Sequence, residues 1–280
     1  MKTSHFIRYP IDIVSILIVL GAVSLQLTAL VLNWPWFVII PILLLVRQVS
    51  IVEHNIVHLP IFRGKILNTL FGWLCQLSNG MPLESYRVHH VTNHHRYNNR
   101  FDASARDWSS PFGFRSTRYP HRPIGKLYYV ATFPFLAHGE SLLWFLRAPT
   151  SRTTRAFVSS LAVVWTASGV LLWLSPAGFV KFFLLPWIIL IFGAGDNNYD
   201  EHKGCKMTNP YDSANDRLDF FHTVLSFNLG YHVEHHLQPS LHWSLLPRYH
   251  KTLSMSNSVR DQPVPPVTPL ASDSADPHDL

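Results

Sequence analysis

Apolar and polar positions fall in long blocks, not in the short alternations of a soluble fold. Residues 13–32 carry no charge and are long enough to cross a bilayer core. Lys2 and Arg8 precede them. The block lacks the short apolar core and small-residue cleavage site of a secretory leader, so a retained span is expected. The break Asn33-Trp34-Pro35-Trp36 supplies interfacial aromatics. A second block, 36–52, is interrupted only by Arg47, which can snorkel near the membrane edge. Residues 156–175 form a third span, Pro176-Ala177-Gly178 a tight turn, and 179–195 a fourth span with Lys181 at its outer end. Residues 66–78 are apolar but too short to cross, which predicts an interfacial or re-entrant segment. Residues 126–146, rich in aromatics, predict a helix on the membrane surface.

The pattern therefore predicts an all-α integral membrane protein with four transmembrane helices in two hairpins. One domain covers residues 1–255. Residues 256–280 turn to Pro, Ser and Asp and predict a disordered tail. The stretches 84–122 and 196–250 are polar and histidine-rich, and are expected to form a helical cap in water. The connection inside each hairpin is short and uncharged, whereas the other segments hold most Lys and Arg. That asymmetry puts the cap and both termini on the cytoplasmic side.

Composition refines this picture. Hydrophobic residues make up 48% and charged residues 14%, where a soluble domain would have about 25% charged. The mean hydropathy of +0.11 is too polar for spans alone. The net charge of +6 resides on residues that flank apolar runs, which suits anionic lipid headgroups and argues against a nucleic-acid partner. Cys75 and Cys205 give neither a disulfide framework nor a paired metal motif. The outlier is histidine, with 17 residues against 17 Asp and Glu together.

Four histidine groups stand out: His54-x-x-x-His58, His90-x-x-x-His94-His95, Asn198-x-x-x-His202 and His232-x-x-His235-His236. Residues three or four apart on a helix share a face. His54 pairs with His58, His90 with His94 and Asn198 with His202, while His232, His235 and His236 cluster in one turn. The stretches Trp34 to His54 and Gly178 to Asn198 each span roughly 30 Å of helix, about the hydrocarbon thickness. Both should deliver their polar ends to one membrane surface. Nine histidines exceed one zinc site and suit two ions with four or five nitrogen ligands each. Imidazole serves iron, copper, nickel or zinc. A pair of irons would activate O2, whereas zinc has no redox chemistry. A single HxxxH pair is weak evidence, and its bland reading is a chance helical pair. The remaining histidines read as surface or supporting residues, with His89, beside His90, the ambiguous one. A membrane metal-binding or transport protein is the rival from another class. It would place histidines within the spans along a path, and these lie past the span ends.

These motifs resemble the membrane fatty acid desaturase superfamily, which also holds lipid hydroxylases, alkane monooxygenases and carotenoid ketolases. The family's three histidine boxes match His54/His58, His90/His94/His95 and His232/His235/His236. The strings "YRVHHVTNHHRYNN" and "NLGYHVEHHLQPSLHWSLLPRYH" look like second- and third-box contexts of acyl-lipid desaturases. Asn198/His202 resembles the NxxxH element that completes the site in acyl-CoA desaturases, where the asparagine acts through water. The first box departs from the family's usual HDxxH-type start, reading "EHNIVH".

The resemblance implies two non-haem irons held by His54, His58, His90, His94, His95, His202, His232, His235 and His236, with Asn198 as a water-mediated or weak ligand. It implies O2-dependent desaturation of a fatty-acyl chain, with hydroxylation or ketolation as the alternative outcome on the same fold. No haem-binding HPGG motif is present. Two electrons are therefore expected from an external ferredoxin or cytochrome b5-type donor. Glu53, Asp200, Glu201 and Glu234 are candidates to hydrogen-bond the ligand imidazoles. Trp108, Tyr199 and Trp243 are candidates to line the acyl path.

Overall fold

The computed structural model describes residues 6–100, 106–110, 123–205 and 210–255. The expected tail at 256–280 lies outside the described residues. In chain order the helices are α1 (Ile13–Val31), α2 (Ile39–His58), α3 (Lys65–Asn79), α4 (Leu83–Arg87), α5 (His95–Tyr97) and α6 (Pro123–Arg147). They continue with α7 (Arg152–Leu174), α8 (Pro176–Phe179), α9 (Leu185–His202), α10 (Phe220–Leu225), α11 (His232–Leu237) and α12 (Leu246–Met255). Two π-helical segments, Val88–His94 and Val180–Leu184, join α4 to α5 and α8 to α9. Among the described residues there is no strand, only an isolated bridge between Ile7 and Phe62.

Four stretches are long and apolar enough to cross a membrane: Pro10–Val31, Trp36–His58, Arg152–Leu174 and Pro176–His202. They match the four expected spans but run further. The expected turn at Pro176-Ala177-Gly178 is instead the start of a helix. Ser175 is its N-cap and Pro176 takes the first position, where its missing N–H costs nothing. Residues 66–78 form α3, which is too short to be one of the four.

The chain divides into two units. The first comprises Met1–Tyr86 and Phe157–Gly193. Its core joins Ala29, Leu30, Ile42, Val46, Phe179, Phe182 and Phe183. Large apolar side chains such as Val31, Leu44 and Trp173 point outward, Trp173 at 82% exposure, as lipid-facing residues do. Arg8 N–H donates to the Ile61 carbonyl at 2.8 Å, which ties the start of α1 to the segment leaving α2. The two ends of this hairpin thus lie on one side, as an even number of crossings requires.

A buried polar knot sits inside this apolar unit. The Gln26 side chain is fully buried. Its amide donates to the Ser78 carbonyl at 3.0 Å and to the Phe182 carbonyl at 2.8 Å. Its Oε1 accepts from the Ser78 hydroxyl at 2.8 Å. Phe182 lies in a π-helical segment, where helix hydrogen bonding is irregular, and Gln26 supplies a donor there. Trp187 Nε1 also donates to the Ser78 carbonyl, at 2.9 Å. The next turn needs Gly80. Its φ is +76°, and a Cβ there would lie 2.4 Å from the Trp187 ring.

The second unit comprises Arg87–Ala156 and Ala194–Leu280. Its core packs Tyr129, Phe133 and Ala137 of α6 against Tyr199 of α9. Gly195 permits this approach, since a Cβ would lie 3.1 Å from Phe133. After α5 two consecutive asparagines, Asn98 (φ 50°) and Asn99 (φ 67°), take the left-handed conformation that asparagine tolerates best after glycine. The reversal brings Asp107 back: its amide donates to the Arg100 carbonyl at 2.9 Å, and its carboxylate accepts from Asn99 N–H at 2.7 Å.

Candidate metal centre

The second histidine group enters on a wider turn than an α-helix provides. Val88–His94 is π-helical, so residues four apart no longer share one set of partners. The rings of His90 and His94 stack at 5.3 Å, but their Nε2 atoms meet different neighbours. His90 Nε2 lies 3.1 Å from His95 Nε2, which lies 3.0 Å from His235 Nε2. His94 Nε2 lies 3.3 Å from His236 Nε2. His202 Nε2 lies 3.3 Å from His232 Nε2. The expected His90/His94 pair and the single third-group cluster are therefore each divided between two sets. One is His90, His95 and His235. The other is His94, His202, His232 and His236, whose donor atoms all lie within 4.8 Å of one another.

These distances fit metal coordination. Two imidazole nitrogens bound to one ion at ~2.1 Å stand roughly 3.0–3.4 Å apart in octahedral or tetrahedral geometry. The observed 3.0–3.3 Å separations fall in that range. His94, His202, His232, His90 and His235 are buried. Burial, reinforced by His95, His232, His94 and His202, holds His236 well below the usual imidazole pKa. The ring stays neutral, the form that binds metal.

Hydrogen bonds on the far side of the rings set the tautomers. His94 Nδ1 lies 2.8 Å from Asp107 Oδ2 and 2.9 Å from Ser109 Oγ. Burial alone would raise the Asp107 carboxyl. The His94 imidazole and the hydroxyl and N–H of Ser109 outweigh it and bring Asp107 down to about 2. An ionised carboxylate only accepts, so His94 carries its proton on Nδ1 and presents the Nε2 lone pair. His202 Nδ1 lies 2.9 Å from the Ser213 carbonyl and 2.6 Å from the Asn99 amide nitrogen, which itself donates to that carbonyl at 2.8 Å.

Asn198 is half-buried on α9. Its amide nitrogen donates to the Ser109 carbonyl at 3.1 Å and to the Tyr129 hydroxyl.

In the first unit His54 and His58 project from the last turns of α2, their ring centroids 5.4 Å apart. Tyr86 OH lies 2.9 Å from His54 Nδ1 and leaves Nε2 as the outward donor.

Several supporting residues differ from expectation. Glu53 is buried against the Asn79 amide, not a histidine. Asp200 pairs with Lys126 and Lys203, each at 2.9 Å. Glu234 accepts from His250 Nδ1 at 2.8 Å. Only Glu201 of the four approaches a grouped histidine, at 3.5 Å from His232 Nε2. Tyr199 is 5.4 Å from Tyr129 in the second unit's core, and Trp243 packs on Phe227. Asp107, Ser109, Tyr86 and Tyr129 take the supporting places and had no motif to mark them. Asp216, Glu234 and His250 form a further carboxylate–imidazole group. Burial, with Glu234 alongside, pushes the Asp216 carboxyl up to about 6 despite the Val233 N–H and His250.

A family profile described as "Fatty acid desaturase" matches residues 15–257. No curated protein and no solved structure matches the chain.

Proposed function

Because the chain belongs to the fatty acid desaturase family, a family of membrane oxidoreductases, we propose that it desaturates a fatty-acyl chain with O2 at a centre of two non-haem irons. The observation that carries the metal assignment is the convergence of His94, His202, His232 and His236, each offering one donor within 4.8 Å of the others. His90, His95 and His235 belong to the second metal. The box pattern adds His54 and His58 to the ligand set, and Asn198 contributes through water or as a weak ligand. Bound iron would supply O2 activation and hydrogen abstraction from two adjacent methylenes. One O2, two electrons, two protons and the two substrate hydrogens then balance as a double bond and two waters.

The chain's own residues prepare this chemistry. Asp107 and Ser109 fix the proton of His94 on Nδ1. Burial holds the His202 and His236 imidazoles below their usual pKa, so these rings are neutral without metal. The four apolar helices hold the protein in the bilayer where a lipid chain is available. The proposed active side is cytoplasmic, and a ferredoxin or cytochrome b5-type donor supplies the electrons.

The test is expression with a reductase system and mass spectrometry of total lipids, comparing wild type with His235→Ala. The reading predicts an unsaturated product from wild type that disappears in the variant while the protein stays in the membrane. A hydroxylated or keto lipid with no new double bond would assign the chain to the family's oxygen-inserting members. No O2-dependent lipid product at all would refute the enzyme reading.

A further inference from the structure

Asparagine can address a metal-bound water in two opposite ways, as donor through Nδ2 or as acceptor through Oδ1. In this chain the choice is made by groups outside the histidine set. Tyr129 OH donates to the Ser109 carbonyl at 2.7 Å. That commits its only proton and leaves the phenolic oxygen as an acceptor. Asn198 faces this oxygen and the Ser109 carbonyl, the latter at 3.1 Å. A carbonyl cannot donate, and the Tyr129 proton is already used. The edge of Asn198 that meets them must be its NH2. Its Oδ1 accepts no hydrogen bond among the described residues and is the atom left to accept from a water.

Tyr129 is well placed to hold this orientation. It is 1% exposed and locked by Phe133, Ala137 and Tyr199. The Ser109 backbone it grips belongs to the residue whose hydroxyl lies 2.9 Å from His94 Nδ1 and donates to Asp107 at 2.7 Å. One residue thus meets both a ligand imidazole and the Asn198 amide, and Tyr129 fixes its carbonyl.

We infer that Tyr129 is a positioning residue for the metal centre: through its hydroxyl and the Ser109 carbonyl it turns Asn198 so that Oδ1 accepts a hydrogen bond from a metal-bound water. The inference rests on the di-iron reading above.

Tyr129→Phe keeps the ring and removes only the hydroxyl. Iron-57 protein purified from membranes would be measured for iron content, Mössbauer spectrum and turnover, alongside Asn198→Ala and the double variant. The expected result is unchanged iron content, an altered quadrupole doublet for one iron, and about a tenfold loss of turnover, as removal of outer partners of metal ligands typically causes. The double variant should fall by less than about twofold beyond Asn198→Ala alone, since both changes break one interaction. A Tyr129→Phe protein with wild-type spectrum and turnover overturns the inference. Losses that multiply in the double variant also overturn it, as does iron loss with a lowered melting temperature, which marks a packing role. Wild-type protein that binds no iron refutes the di-iron reading and this inference with it. Iron-replete wild type beside an unaffected Tyr129→Phe refutes the inference alone.

Discussion

Asp107 Oδ2 lies 2.8 Å from Nδ1 of His94, and both side chains are almost completely buried. The pair is separated by thirteen positions in sequence and joined by the left-handed turn at Asn98 and Asn99. It sets which nitrogen of His94 is free. Asp107→Asn keeps the shape but makes a protonated Nδ1 optional, because an amide can donate as well as accept. The expected outcome is a roughly 10–100-fold loss of metal affinity. Metal retained after a timed chelator challenge checks it, and retention equal to wild type would contradict it.

Gln26 answers a different demand. It holds three polar groups in the apolar unit through bonds of 2.8–3.0 Å. Gln26→Leu leaves the Ser78 hydroxyl and Phe182 carbonyl without that partner. Polar contacts inside membrane proteins are worth about 0.6–2 kcal/mol each. The variant should melt earlier in detergent with metal content per folded chain unchanged. An unchanged melting temperature would show that the knot contributes nothing.

Asp216 carries a pH dependence. Burial and neighbouring Glu234 raise its carboxyl from 3.8 to about 6. A raised acid binds its proton more tightly folded than unfolded. Its contribution to stability is therefore present below the unfolded value and is lost as pH climbs from 3.8 through about 6. Asp216→Asn retains an oxygen for the Val233 N–H, which Asp216 Oδ1 accepts at 2.8 Å. Melting curves from pH 4 to 8 should show wild type losing stability relative to the variant across that interval. Parallel curves would contradict the assignment.

Much of this architecture was legible in the sequence because its cause is local. Apolar blocks of about twenty residues with at most one charge each are suited to a membrane helix, and all four proved long and apolar enough to cross. Their ends were less legible. α9 continues through Asn198 to His202 because polar side chains do not stop a helix whose backbone bonds continue. Pro176 begins a helix because proline fits its first turn. That His94, His202, His232 and His236 come together follows from no one spacing, and how the histidine groups divide was not legible either. The π-helical register at Val88–His94 separates His90 from His94, and that register is not set by residue type. The supporting groups failed for a geometric reason. Glu53 and Glu234 are chain neighbours of His54 and His235, yet adjacent helix residues point about 100° apart. Asp107, Ser109 and Tyr129 reach the site through turns and tertiary packing that leave no spacing signal.

The most direct test of the central claim is the metal content of the wild-type protein, purified from membranes of cells grown with iron and zinc both available. The account predicts about two irons per chain, held by imidazole-dominated donor sets, with one lost in a variant carrying His94→Ala and His236→Ala. Zinc alone, or iron that survives removal of those histidines, would contradict it.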